Sequence, residues 1–141
     1  MSGISLQEAK QLIAAALSKG RELQLNPLCV AVLDAGGHLL ALQREDGAST
    51  LRPQIAIGKA AGALGLGVSS RKIADMAAER PMFVAALGTL AAQGVIPAAG
   101  GLLATADGEL VGAIGVTGDT SDNDEACALA GLAAAGLSAR G

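Results

Sequence analysis

The stretch Leu102-Leu103-Ala104-Thr105-Ala106-Asp107-Gly108-Glu109-Leu110-Val111-Gly112-Ala113-Ile114-Gly115-Val116 decides the fold. Two apolar runs flank Asp107-Gly108. An Asp-Gly pair suits a type I′ turn, which needs positive φ at both central residues, so the stretch reads as a β-hairpin. Gly112 and Gly115 interrupt the second run. They point to bulges or to close approach by a ligand or another backbone.

Upstream, Leu28 to Asp34 and His38 to Gln43 are two further apolar runs separated by Ala35-Gly36-Gly37. They read as a second hairpin, closed by Arg44-Glu45-Asp46-Gly47. Between the hairpins the apolar spacing is helical. One helix spans Thr50 to Leu66, with Pro53 in its first turn and Ile55, Ile57, Ala60 and Leu64 on its apolar face. A short helix capped by Ser69 or Ser70 runs to about Ala78. Pro81 opens another, from Met82 to Ala92. Gly94 to Gly101 is a loop. At the front, Ser5-Leu6-Gln7-Glu8 is a capping box opening a helix from about 5 to 24, ended by Asn26-Pro27. At the back, Asp122 and Glu125 form a similar pattern before a final helix to about Leu137. That helix is rich in Ala, Leu and Gly and is expected to pack on all sides. Two hairpins separated by helices imply an antiparallel sheet with helices packed on it, an α+β domain spanning 1–141.

Composition excludes several classes of function. The chain has 141 residues, net charge -3, and 16% charged against 51% hydrophobic residues. Ordinary domains carry about 25% charge, so this one has apolar surface to hide, and homo-oligomers are expected. With no basic excess and Phe83 as the one aromatic, no nucleic-acid partner is expected. No run reaches the length of an uncharged membrane span, so no membrane partner is expected. Met1 to Lys10 shows no signal-peptide pattern. Cys29 and Cys127 read as separate buried thiols in a reducing compartment. A cytoplasmic location is the expectation.

No phosphate-binding loop, zinc motif or CxxC is present. The candidate site residues stand singly. His38 begins a strand beside a glycine turn and could serve as an axial ligand or acid–base group; a bland turn histidine has the same pattern. Arg44 could clamp a carboxylate with Asp46 orienting its guanidinium, or the two could form a solvated pair. Lys59 lies in an apolar helix, where a lysine can act as base or nucleophile, although more often it snorkels. Gly100-Gly101 could present backbone amides to an anion, or simply lead into the strand. Asp124 and Glu125 suit a helix N-terminus, and only one is needed there.

Several segments together resemble one family. Val32 to Ala41 looks like its first hairpin. Arg44-Glu45-Asp46-Gly47-Ala48 is similar to its Arg-x-Asp-Gly-Ala element, and Ala56-Ile57-Gly58-Lys59-Ala60 to its Ile-Ala-x-x-Lys-Ala helix. Gly100-Gly101 with Asp107 to Val116 resembles its second hairpin, and Asp124 to Leu132 its last helix. The chain resembles the GlcG/HbpS family, often labelled haem-degrading or haem-binding and related to the C-terminal domain of PduO-type proteins.

The resemblance implies a profilin-like or PAS-like two-layer α+β sandwich and homo-oligomers from dimers to octamers. It implies a small-molecule-binding protein, with haem as the named cofactor. His38 would ligate the iron, with Arg44 and Lys59 on the propionates. Relatives that use a histidine in the first helix have no counterpart here, since Ser5 to Leu25 contains none. The alternative is a small catabolic enzyme of isomerase or tautomerase type. There Arg44 holds an organic acid, Lys59 or Glu125 moves the proton, and glycine amides stabilise the oxyanion. A structural accessory subunit is the third reading. In the family fold Arg44, Asp46, Gly100, Gly101 and Lys59 are expected to meet at one sheet edge, completed by Asp124 or Glu125. The cavity formed there should take a ligand bearing a carboxylate.

Overall fold

The Ser5 hydroxyl accepts from the Glu8 backbone N–H and the Glu8 carboxylate accepts from that of Ser5, so the capping box forms as its spacing implies. In the computed structural model, which describes residues 3–141, it opens α1 (Leu6–Glu22). There follow β1 (Cys29–Asp34), β2 (Leu39–Arg44), α2 (Arg52–Leu66), α3 (Ser70–Glu79) and α4 (Pro81–Leu90). The chain then forms β3 (Gly101–Ala106), β4 (Glu109–Thr117), α5 (Ser121–Ala134) and β5 (Ser138–Arg140). The class is α+β. The strands form one antiparallel sheet in the order β2-β1-β4-β3-β5.

Both expected hairpins are present. Asp107 and Gly108 have φ of 52° and 81°, the positive pair a type I′ turn requires. The hairpins join through β1 and β4, with Val30 opposite Val116 and Val32 opposite Ile114. Alternation along β1 then sorts the core. Val30 and Val32 face α1 and α5 with Leu12, Ile114 and Leu132, whereas Cys29 and Ala31 face Ala56 of α2, and Leu33 faces Ala60.

The seat of α2 differs from the expected one. Its buried positions are Ala56, Gly58, Lys59, Ala60, Gly62 and Ala63, while Ile55, Ile57 and Leu64 stand half-exposed. The face is turned toward its smallest residues because the sheet beneath it is bare. A Cβ at Gly115 of β4 would overlap the Ala56 carbonyl, and one at Gly101 would overlap that of Lys59. Gly115 therefore serves close approach by another backbone, and beside Gly112 the pairing slips, Ala104 facing Gly112 but Thr105 facing Leu110, so both suggested roles occur.

The last helix differs in three ways. Its cap is Thr120, whose hydroxyl accepts from the Asn123 backbone N–H, so the expected Asp122/Glu125 box does not form. Its packing is one-sided: Cys127, Ala128, Gly131 and Leu132 are buried, while Leu129 and Ala133 face outward. It stops at Ala134, and β5 then pairs with β3. Three exposed residues carry too little alternation to announce a strand.

The accessible surface is 6811 Å², close to the roughly 6,600 Å² typical of a chain this size. The apolar excess is therefore not hidden by unusual burial; it is displayed. Helix α4 buries only Val84 and leaves Met82 86% and Leu90 82% exposed, with Phe83 also outward. Among the described residues no helix is long and apolar enough to cross a membrane.

Candidate functional site

Lys59 does not reach a ligand surface. It is 3% exposed, and its Nζ donates to the carbonyls of Ala99 and Val116, both at 2.9 Å, and to Oδ2 of Asp124 at 3.1 Å. Three donors meet three acceptors, so the ammonium is fully satisfied. Asp124 is 1% exposed, and its Oδ1 accepts from the Asp119 backbone N–H at 3.0 Å. Burial pushes the Lys59 ammonium below its ordinary value and the Asp124 carboxyl above its own, and their mutual attraction opposes both shifts. The pair ties α2 to α5 across the end of β4.

Gly100 and Gly101 belong to the same internal joint. Gly100 has φ of 128°, and a Cβ there would overlap the Val116 carbonyl and lie 2.9 Å from Lys59 Nζ. Its own carbonyl accepts from the Val116 N–H. The Gly101 N–H donates to Ser70 Oγ at 2.7 Å. The Gly101 N–H and the Gly100 carbonyl are thus spent on the fold, so Gly101 does not present its amide to an anion. Glu125 lies on the outer side of α5, where both of its oxygens accept from Arg71 Nε at 3.1 Å. Asp122 takes Nη2 of the same guanidinium.

Arg44 ends β2 at some distance from this joint. Its Nη1 donates to the Ala48 carbonyl at 2.7 Å. With Asp46 it lines a cleft of about 390 Å³ between the end of β2 and the last turn of α1, where Leu17 and Arg21 form the facing wall. Lys59, Gly100 and Gly101 are not part of this cleft, so the expected meeting of all five at one cavity does not occur. Sequence spacing could not show it, because Lys59 lies on the sheet-facing side of α2 and the cleft opens toward α1. Arg21 and Glu45 were missed for the opposite reason: a charge in a helix's last turn and one in a closing turn both look solvated. Glu45 Oε1 in fact accepts from the Leu28 N–H at 2.8 Å and from Arg21 Nη2 at 3.2 Å.

His38 occupies the other end of β2, six residues from Arg44 in sequence and so roughly 20 Å along the strand. Its side chain is 81% exposed. Asp34 organises the turn. Its Oδ1 accepts from the Gly36 and His38 backbone N–H groups, both at 2.9 Å, and lies 3.2 Å from His38 Nδ1. The His38 backbone N–H, the strongest of these influences, holds the Asp34 carboxyl below its usual range. Asp34 engages Nδ1 of the ring, and among the described residues Nε2 has no hydrogen-bond partner. Gly36 and Gly37 of this turn wall a groove of about 270 Å³, floored by Ala61, Leu64 and Gly65 of α2. A second hollow of about 270 Å³ shares Ala61, Gly65 and Ala91 with it and runs on to Leu87 and Leu90 of α4. Among the described residues no cluster of three or more His, Cys, Asp or Glu side chains is placed to hold a metal ion.

Residues 4–133 match the family described as haem degrading protein HbpS-like. The chain belongs to the HbpS-like family. A protein from Citrobacter freundii, described as an uncharacterized 15.0 kDa protein in the dhaT-dhaS intergenic region, is 31% identical over 121 residues, covering 86% of this chain and 84% of that one. The structure of Streptomyces reticuli HbpS, as a double mutant, aligns with a TM-score of 0.81 and 30% identity over 94% of this chain and 87% of that one. Klebsiella pneumoniae ORFY aligns with a TM-score of 0.86 and 29% identity over 96% and 92%. A PduOC:heme complex aligns with a TM-score of 0.87 over 99% of both chains at 24% identity, a likeness of fold. The HbpS-like frame thus extends over almost the whole chain, including both ends of β2.

Proposed function

We propose that this HbpS-like protein binds haem on the apolar groove beside the β1–β2 turn, with His38 Nε2 as the protein's ligand to the iron. The observation that carries this reading is the match of residues 4–133 to a family described as haem degrading. The donor set offers one imidazole to an iron. His38 is the only imidazole in the chain, its side chain is exposed beside the Gly36–Gly37 wall of the groove, and Asp34 lies 3.2 Å from Nδ1, a hydrogen-bonded arrangement that orients a ligating histidine. The floor fits a flat apolar ring: Gly65 has nothing within 4 Å of the position its Cβ would take, so a planar group could lie close to α2. Bound there, haem would be held by His38 and would supply a redox-active iron. Lys59 is unavailable to its propionates, and Arg44 lines a different cavity.

A haem titration followed by absorbance tests this. The parent should give a saturable Soret shift, and His38→Ala should lose it while keeping the parent's far-ultraviolet circular dichroism. No shift in the parent refutes the reading, and an unchanged shift in His38→Ala removes His38 from it.

We further propose that the protein self-associates through α4. From Pro81 to Ala106 the chain carries no charge, and α4 displays nearly all its apolar side chains. A second copy offers a matching uncharged helix, and the cation at its start, exposed Arg80 lying 4.0 Å over the Phe83 ring, can keep its head group in water at the edge of such a contact. Light scattering should give a multiple of 13.7 kDa. Met82→Glu with Leu90→Glu should give the monomer mass, and a monomeric parent would refute the proposal.

A further inference from the structure

The cleft between α1 and the end of β2 holds four charged side chains, two of each sign. Arg21 and Glu45 neutralise one another, and both are otherwise engaged. Arg21 Nη2 also donates to the Leu25 and Asn26 carbonyls, at 3.1 and 3.3 Å. Glu45 Oε1 holds the Leu28 N–H. This pair braces the wall of the cleft against the end of β2. The other two charges are not committed in the same way. Arg44 uses Nη1 alone, on the Ala48 carbonyl. Among the described residues nothing hydrogen-bonds to its Nε–Nη2 edge, the planar fork that matches a carboxylate with two parallel bonds. Asp46 makes no hydrogen bond or ion pair among the described residues, and it lines the same cleft.

One free guanidinium edge and one free carboxylate, side by side in a cleft of about 390 Å³, call for a ligand that carries both charges. A dianion would meet Asp46 and Glu45, and a simple amine would meet Arg44 and Arg21. We propose that this cleft binds a small zwitterionic acid of the α-amino acid class, with Arg44 on its carboxylate and Asp46 on its ammonium. Leu17 and Pro27 give its side chain an apolar wall. The site is separate from the groove beside His38, so it stands whether or not the chain binds haem.

The test is an NMR titration of the full chain with the common α-amino acids taken singly, and with propanoate, propylamine and lactate as single-charge probes. At least one amino acid should saturate a shift at the Ala48 amide and the Arg44 side-chain N–H. The single-charge probes should bind at least about tenfold more weakly, since each lacks one charge-assisted hydrogen bond. Arg44→Ala should weaken the amino acid roughly 10- to 150-fold, and Arg44→Lys should restore little. Asp46→Asn should erase the preference for the amino acid over propanoate, with propanoate binding at least as tightly as it does to the parent because a like charge is gone. Both side chains are exposed, and a thermal melt checks that each variant folds. The proposal is overturned if no amino acid saturates. It is equally overturned if propanoate or lactate binds as well as the amino acid, or if Asp46→Asn keeps the preference.

Discussion

Replacing Lys59 by methionine keeps the length of the side chain and removes its charge. The structure shows what is left behind. Asp124 stays 1% exposed with one of its two recorded partners gone, and the Ala99 and Val116 carbonyls lose donors at 2.9 Å. Removing one member of a buried pair typically destabilises by about 3–5 kcal/mol, because the surviving charge is uncompensated. For a chain of this length that should lower Tm by on the order of 10–20 °C. The loss should also depend on pH. Without Lys59 nothing cationic in contact opposes the burial that already pushes the Asp124 carboxyl up. The folded variant then holds a proton on Asp124 at pH values where the unfolded chain has released it. Where the folded state binds more protons, stability falls as pH rises. The gap between parent and variant should therefore be smallest in acid, near the ordinary carboxylate value of 3.8, and widen as the pH climbs above it. Calorimetric melts of both proteins across that range measure this directly. A Tm drop of less than about 3 °C, or a gap that does not change with pH, would refute the assignment of Lys59–Asp124 as a buried ion pair joining α2 to α5. Adding Asp124→Leu should recover part of the loss, leaving the cost of the two unpaired carbonyls and the Asp119 N–H.

Three further outcomes follow from packing and burial. Gly115→Ala places a methyl group on the Ala56 carbonyl, where no flexible side chain can yield. Overpacking of this kind costs about 1–3 kcal/mol, read as a lower denaturant midpoint at unchanged slope. Cys29 and Cys127 are fully buried, and burial raises both thiols to about 11. A thiol reagent at mildly alkaline pH should react with neither in the folded protein and with both after unfolding. Arg71→Ala removes an exposed cation from Asp122 and Glu125. Exposed pairs contribute little, so its melting curve should overlay the parent's, in contrast to Lys59→Met.

The elements were legible wherever local chemistry acts alone. Asp107-Gly108 could be read as a turn because positive φ is a property of those two residues. Ser5 and Glu8 could be read as a cap because a capping box is complete within four residues. Legibility failed where a distant neighbour decides. Ile55, Ile57 and Leu64 looked like the buried face of α2, and the bare glycines of β3 and β4 overruled them by admitting the alanines instead. Asp122 and Glu125 looked like a capping box, yet Thr120 took the cap and Arg71, fifty-one residues from Asp122, took the acids. The candidate residues divided in the same way. His38 and Arg44 could be placed at the ends of a strand. The chain alone could not show that Lys59 points into the interior, or that Arg21 closes a cleft opposite Arg44.

That division bears on where function can reside in this fold. Lys59, Asp124, Gly100 and Gly101 are among the residues through which the chain resembles its family, and all four are consumed in holding α2, α5 and the two central strands together. A side chain with every hydrogen bond satisfied and 3% exposure can specify a fold, but it has no valence left for a ligand. Uncommitted donors and acceptors beside a groove or a cleft stand at the two ends of β2. His38 Nε2 stands at one, and the Arg44 edge with Asp46 at the other. Both belong to turns carried by a rigid sheet, the setting in which loops can vary their chemistry without disturbing the core. For this chain, substitutions at the joint should move stability, and substitutions at the ends of β2 should move binding with the melting temperature held. A His38 or Arg44 variant that melted as early as Lys59→Met would break that separation.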